Sequence, residues 1–214
     1  MNEDGSSGLS AAGNPRRAKP EDAKALARLF TAAFLHDPIM DWMVRSGPKR
    51  ASALEAFFFR LLYGRAIPAG EVWMSDDAAA CTIWLPPGLS AWPTGIIAQS
   101  RLLPLFVQLC GLGRLARGGA LSGAMEKAHP REPHFYLFFM AVHSSFQGKG
   151  LGSAILEATL KHIDQASMPA YLENSNLKNA RLYERAGFLA RENISPEGAP
   201  PLIPMWRPPR ERNR

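Results

Sequence analysis

The residues of this chain whose types and spacing could do chemistry lie in its second half. Gln147-Gly148-Lys149-Gly150-Leu151-Gly152 follows an almost wholly apolar run, Tyr136 to Val142, and leads into an apolar stripe of Leu151, Ile155, Leu156, Ala158, Leu160 and Ile163. The run suits a strand buried on both faces, and the stripe suits a helix packed against it. Three glycines on alternate positions leave backbone N–H groups uncovered at a helix N-terminus, where the helix dipole and Lys149 favour an anion. Spacing narrows the anion. A Walker A loop needs Lys after its last glycine and then Ser or Thr, whereas Lys149 stands between Gly148 and Gly150. A dinucleotide fingerprint counted from Gly148 needs glycine at the sixth place, which is Ser153. A plain glycine turn between strand and helix is the remaining alternative.

Two further groups carry chemistry. Glu173 lies near the end of a second apolar run, Pro169 to Asn174, separated from the first by the helix and therefore expected to pair with it in parallel. A carboxylate there is expected close to the mouth above the glycine turn, partly buried and raised towards the range of a general base; a solvated strand end or a helix cap is the equal alternative. Asn176, Asn179 and Tyr183 are spaced three and four apart, so on one helix they share a polar face, with Leu182 and Ala186 on another. Two amides and a phenol could hold an amide-bearing cofactor and supply a proton, or simply face solvent. His36-Asp37-Pro38 reads as a helix-breaking turn rather than a catalytic dyad, since no nucleophile is near it in sequence.

The elements that position these groups can be traced in order. Met1 to Asn14 reads as a disordered polar tail, and any strand at Arg16 to Lys19 must be short. Pro20-Glu21-Asp22 opens a helix whose apolar face is Ala23, Leu26, Ala27, Phe30 and Ala33. Pro48 to Ala66 is a second, core-facing helix; Glu71 to Ser75 and Ala78 to Leu85 form a hairpin around Asp76-Asp77. Gly95 to Leu115 is apolar but interrupted by Gln99, Arg101, Pro104 and Gln108, which argues against a membrane span and for two short helices. Gly111 to Gly123, with five glycines, reads as a mobile loop. Asn176 to Ala186 is a helix capped by Ser175 or Asn176, with Gly187 past its end; Phe188 to Ile194 and Pro201 to Trp206 form a last antiparallel pair. The order describes a single α/β (α+β) domain over residues 15–207, with a twisted sheet that is mainly antiparallel around a central parallel pair, and a basic tail at 208–214.

Composition bounds the partners. The formal charge is +6, but the last eight residues alone hold four Arg against Glu211, so the body is only mildly basic and no aromatic and basic interleaving marks a nucleic-acid surface. Cys81 and Cys110 match neither a disulfide framework nor a metal spacing, and a reducing cytoplasm is the expected compartment.

The turn Q-G-K-G-L-G after an apolar strand resembles the pyrophosphate-binding turn of the GNAT acetyltransferase superfamily. Y-L-E-N-S-N followed by N-A-R-L-Y-E-R-A-G-F resembles the C-terminal half of the same enzymes, and the combination is most similar to puromycin N-acetyltransferases and related small-molecule acetyltransferases. The likeness covers Glu132 to Met205; Asn174 departs from the hydroxyl residue expected after the glutamate. It implies acetyl transfer from acetyl-CoA to an amine by direct attack, without a metal. Met140, Ala141 and Val142 would then offer backbone groups to the acetyl carbonyl and pantetheine. Gln147, Gly148, Lys149, Gly150, Leu151, Gly152 and Ser153 would hold the pyrophosphate, and Asn176 and Asn179 would touch the cofactor. Glu173 would deprotonate the ammonium, and Tyr183 would protonate the leaving thiolate, a phenol near 10 serving a thiolate of about 8.5. The expected acceptor is a small-molecule amine, with a protein lysine or N-terminal amine as the alternative. A non-catalytic acetyl-CoA sensor or a nucleic-acid adaptor is a different class. Neither a membrane nor a nucleic-acid partner is expected, and the chain is expected to be a monomer or homodimer. Selectivity is expected in Gly95 to Pro130, whose Ile96, Leu103, Phe106 and Leu109 form an apolar wall or ordinary packing.

Overall fold

The computed structural model describes residues 3–90 and 100–210. The helix α1 spans Glu3–Gly13, and the two-residue strand β1, Arg16–Arg17, precedes a 3₁₀ turn at Pro20–Asp22 and α2, Ala23–Phe34. Next come α3 (Pro38–Met43), α4 (Arg50–Leu61, running into a π turn at Leu62–Ala66), β2 (Val72–Met74) and β3 (Ala80–Leu85). The middle of the chain supplies α5 (Leu103–Cys110), α6 (Leu115–Ala128), β4 (Phe135–Val142) and α7 (Leu151–Gln165). It ends with β5 (Ala170–Asn174), a 3₁₀ turn at Leu177–Asn179, α8 (Ala180–Arg185), β6 (Leu189–Ala190) and β7 (Ile203–Arg207).

Among the described residues seven strands form one sheet in the order β1-β2-β3-β4-β5-β7-β6. The pair β4/β5 is parallel and every other neighbouring pair is antiparallel, as the intervening helix requires. Both faces are covered. On one, Leu156, Leu160 and Ile163 of α7 pack with Trp84, Phe135, Leu137 and Leu172. On the other, Phe30, Phe34 and Phe58 cluster around Phe139 of β4, with ring centroids 5.2–6.3 Å apart. Burial on two faces explains why all six residues of β3 are buried and why β4 reads as a continuous apolar run.

The central pair does not stay paired. Hydrogen-bonded register joins Phe135, Tyr136 and Leu137 to Ala170, Tyr171 and Leu172 and then stops. Beyond it β4 remains on β3 as far as Val142↔Ala80, and β5 remains on β7 as far as Asn174↔Ile203. The register of β3 on β4 also shifts, from Trp84↔Leu137 to Ile83↔Phe139, so Phe138 is the extra residue of a bulge at the point of divergence. From Phe138 onward, the β5-facing edge of β4 is open.

Two expectations are corrected. Residues Glu3–Gly13 are a helix rather than a disordered tail. Its run of Gly, Ser and Ala holds Leu9 as the one large apolar residue, but small residues let it approach closely: Ala12 is fully buried among Ala79, Ala80, Leu151 and Ile155. The glycine-rich Gly111 to Gly123 is mostly helical, belonging to α6. Gly118 and Gly119 each cost a helix interior about 1 kcal/mol, which docking offsets. Arg114 Nη1 donates to the carbonyls of Asp41 and Val44 at 2.9 and 2.6 Å, and Arg117 Nη1 donates to that of Trp42 at 3.0 Å. A Cβ added at Gly118 would make ordinary contact with Cys110 and Met43, 3.5 and 3.7 Å away, so the glycine faces the docked side of the helix. Within Gly95 to Leu115 the described residues hold a helical Ser100, a break at Arg101 and Leu102, the helix α5 and a 3₁₀ turn; the rest of the stretch where a first short helix was expected, with Ile96, lies outside the described residues.

Docking of α1 through Ala12 gives a test. Ala12→Asp either buries a carboxylate without a partner or releases the helix, so stability falls by about 1–3 kcal/mol, limited by what docking contributes. Hydrogen exchange is expected to lose protection over Leu9 to Gly13 while β4 keeps its own; unchanged protection of Leu9 to Gly13 contradicts the packing.

Candidate active site

The glycine turn has the geometry that phosphate requires. Gly148 and Gly150 have φ of +75° and +88°, which side chains rarely adopt, and Gly150 is the N-cap of α7. The first ladder bond runs from Ala154 N–H to the Gly150 carbonyl at 3.0 Å, so the N–H groups of Leu151, Gly152 and Ser153 precede the ladder. Gly148, Lys149 and Gly150 are exposed beside them. Lys149 Nζ lies 5.4 Å from the Phe146 ring centroid, and Gln147 Nε2 donates to the Val142 carbonyl at 3.3 Å, tying the turn to the end of β4. A Cβ on Gly152 would already touch Val142, Leu182 and Met140, so turn, strand and α8 meet there.

The open edge of β4 carries Met140, Ala141 and Val142, half-buried or buried, straight into this turn. Across the gap, at the end of β5, stands Asn174, only 3% exposed. Its Oδ1 accepts from the Asn176 N–H at 3.2 Å, but its Nδ2 is buried with no partner. A buried amide donor without an acceptor is costly unless something else supplies one. An open strand edge, free helix N–H groups and this orphan donor together fit a ligand with a pyrophosphate at one end and a chain of amides along the other.

Tyr183 stands on the α7 side of the sheet. It is 8% exposed and packs edge-on to Phe188 at 6.1 Å. Burial, and then the charge of Asp37, push its phenol well above the usual tyrosine range, so it carries its proton at neutral pH. The shared polar face expected for Asn176, Asn179 and Tyr183 does not exist. The segment is not one helix but a 3₁₀ turn followed by α8, which changes the rotation per residue. Asn179 is exposed, Asn176 caps the turn by accepting from the Lys178 N–H at 3.1 Å, and Tyr183 turns inward.

Glu173 stands on the opposite face, since Leu172 beside it belongs to the α7 side. It is not a solvated strand end: its side chain is 2% exposed. Tyr136 donates its hydroxyl to Oε2, and Tyr171 donates to Oε1 at 3.0 Å. Burial and the facing carboxylate raise both phenols well above their ordinary value. The two tyrosines are partners that the spacing of the chain did not single out. Their i, i+2 and cross-strand relation to Glu173 becomes visible only once the parallel register is fixed.

Asp37 is a second buried carboxylate missed in sequence. The turn at His36-Asp37-Pro38 forms as expected and His36 is exposed, but Asp37 faces inward. Its Oδ1 accepts from the N–H groups of Ile39 and Met40 at 3.0 and 3.1 Å, capping α3, and Ser175 Oγ donates to Oδ2 at 2.5 Å. Burial pushes its carboxyl up, against these hydrogen bonds. The contact ties the α2–α3 corner to the turn that follows β5, within electrostatic reach of Tyr183. A cavity of about 340 Å³ between α4 and α5, bordered by Phe59, Arg60, Arg101 and Leu105, touches none of these residues.

Gly150→Val places a β-branched side chain at φ +88°, with Leu9 Cδ1 3.4 Å from where its Cβ would sit. We expect calorimetry to show acetyl-CoA binding at least about tenfold weaker, and Gly152→Ala, whose added methyl meets only ordinary contacts, to fold and serve as the control. Unaltered affinity in folded Gly150→Val contradicts the phosphate turn.

Residues 97–188 match the acetyltransferase (GNAT) family. An uncharacterized N-acetyltransferase of Schizosaccharomyces pombe is 27% identical over 186 residues, which cover 84% of this chain and 75% of that protein. Among solved structures, the histone acetyltransferase HPA2 and related acetyltransferase from Corynebacterium glutamicum shares the fold at a TM-score of 0.68 and 24% identity, covering 94% of this chain and 98% of that one. The polyamine N-acetyltransferase of Drosophila melanogaster shares it at 0.60 and 13% identity, covering 90% and 97%. The stretch similar to the GNAT family contains β4, the glycine turn, α7, β5 and Tyr183, and together with the N-acetyltransferase relative it supports an acetyl-CoA-dependent N-acetyltransferase.

Proposed function

We propose that this enzyme acetylates the primary amine of a small molecule with an apolar or aromatic body, by direct attack of the amine on the thioester. The observation that carries the reading is the open β4 edge, which runs from the bulge at Phe138 into the glycine turn and passes between Tyr183 on one face and Glu173 on the other. Acetyl-CoA supplies the activated acetyl group. The N–H groups of Leu151, Gly152 and Ser153 hold its pyrophosphate, and the backbone of Met140 to Val142 with Asn174 Nδ2 holds its amide arm. Glu173 takes a proton from the ammonium so that the nitrogen lone pair is free. Carbon–nitrogen bond formation is followed by carbon–sulfur cleavage; the departing thiolate takes the phenolic proton of Tyr183, and the second proton lost by the nitrogen as it becomes an amide restores the phenol.

A small acceptor is supported by the cover over the Glu173 face. Arg114 and Arg117 pin α6 to the α3 corner, and Leu121 and Met125 of α6 join Phe34, Phe138, Ile194 and Leu202 in one apolar cluster. Such a lining fits a slim hydrophobic amine better than an extended polypeptide. The resemblance of Q-G-K-G-L-G combined with Y-L-E-N-S-N and N-A-R-L-Y-E-R-A-G-F to puromycin N-acetyltransferases favours the same reading.

A thiol-release assay over 2-phenylethylamine, tyramine, agmatine, spermidine and a lysine-bearing peptide tests the acceptor. The two aromatic amines are expected to give a kcat/KM at least about tenfold above the others, because each buried methylene-sized contact adds about 0.8 kcal/mol; a peptide that outruns them overturns the small-molecule reading. Tyr183→Phe is expected to lower kcat about ten- to thousandfold with acetyl-CoA affinity within about twofold. Equal kcat shows Tyr183 to be structural.

A further inference from the structure

Resting on the reading of Glu173 as the base, we propose that His129 is the proton-relay residue that returns the proton from Glu173 to solvent in each turnover. The need follows from stoichiometry. An ammonium has three N–H bonds and the amide product keeps one. One of the two protons shed ends on the coenzyme A sulfur and the other must leave the protein. Glu173 is enclosed: its side chain is 2% exposed, and its oxygens accept from Tyr136 and Tyr171, two phenols already holding their own protons. A proton accepted there needs an exit.

His129 is placed to provide one. It caps the C-terminus of α6, its N–H donating to the Met125 carbonyl at 2.8 Å, with Pro130 next, so its backbone is fixed. Its Nδ1 lies 3.9 Å from Glu173 Oε1, a separation that a small ring rotation or one water closes, while the side chain is 37% exposed. Its ring stands edge-on to Tyr136 and Tyr171, each at 5.1 Å, which sets its plane against the carboxylate. The groups facing it are His134 from the loop before β4, Tyr136 from β4, and Tyr171 and Glu173 from β5; Arg191, after β6, adds a positive charge acting on His134 and Tyr171.

His134 does not compete for the role. Its Nδ1 lies 2.6 Å from the Glu132 carbonyl, so that nitrogen bears the hydrogen, and its ring is enclosed by Tyr171 and Trp206. Burial holds its imidazole below the usual range, in keeping with a neutral ring. Of the two adjacent imidazoles, whose centroids are 4.8 Å apart, His129 is the one with access to water. The steps balance. The ammonium gives its proton to the Glu173 carboxylate, the carboxylic acid passes it to a His129 ring nitrogen, and the imidazolium releases it to solvent, leaving both groups as they began.

The test measures kcat for His129→Gln, His129→Ala and Glu173→Gln, with whichever amine of the panel above is turned over fastest, at several buffer concentrations and with added imidazole. Both His129 variants are expected to lose about ten- to hundredfold in kcat with the KM for acetyl-CoA within about twofold. Imidazole is expected to restore His129→Ala in proportion to its concentration, and kcat of His129→Gln is expected to rise with buffer concentration. Imidazole is expected to do nothing for Glu173→Gln. Wild-type kcat in the His129 variants, or a loss that neither imidazole nor buffer restores, overturns the relay. Wild-type kcat in Glu173→Gln sinks the base reading itself, a result distinct from failure of the relay alone.

Discussion

Hydrogen bonding between the two central parallel strands lasts for three residues on each, and the rest of the site depends on its ending there. A strand in the middle of a sheet ordinarily satisfies its backbone on both sides. Here β4 stays bonded to β3 on one side, β5 stays bonded to β7 on the other, and the bulge at Phe138 lets the two strands diverge. The edge so exposed lies in the interior rather than at the rim of the sheet, where another chain could pair with it. A ligand with alternating amide donors and acceptors can complete it, and the glycine turn at its end supplies the place for charge.

The opening also separates the proton chemistry. Because alternate residues of a strand face opposite ways, Tyr183 and Glu173 approach the gap from different sides of the sheet. The phenol lies among apolar residues of α7 and β4, where burial keeps it protonated; the carboxylate lies in a pocket of hydroxyl donors. A buried phenol and a buried carboxyl group are therefore kept apart, on opposite faces of one gap. The corner formed by Asp37 and Ser175 holds the helix that carries Tyr183 against the N-terminal helices, so the acceptor side and the cofactor side are mechanically joined.

Much of this was legible in the chain because local signals agreed with the global arrangement. The run from Tyr136 to Val142, the glycines at 148, 150 and 152 and the stripe from Leu151 to Ile163 each specify one element, and together they place a glycine turn between strand and helix. What was not legible depended on distant contacts. A helix of small residues at Glu3–Gly13 is stable only because Ala79, Ala80, Leu151 and Ile155 receive Ala12. The glycines of α6 read as a loop because the arginines that pin the helix bond to carbonyls about seventy residues earlier. The inward turn of Tyr183 followed from a 3₁₀ segment that spacing alone does not reveal, and Tyr136 becomes a neighbour of Glu173 only across the sheet.

The most direct measurement of the account is amide NMR of the full chain titrated with coenzyme A. If the open edge and the turn hold the cofactor, the amides of Met140 to Val142 and Gly148 to Ser153 and the side-chain amide of Asn174 shift together with one saturation constant, while Phe59 and Leu105 beside the α4–α5 cavity remain unmoved. Shifts confined to that cavity, or a silent β4 edge at saturating coenzyme A, would contradict it.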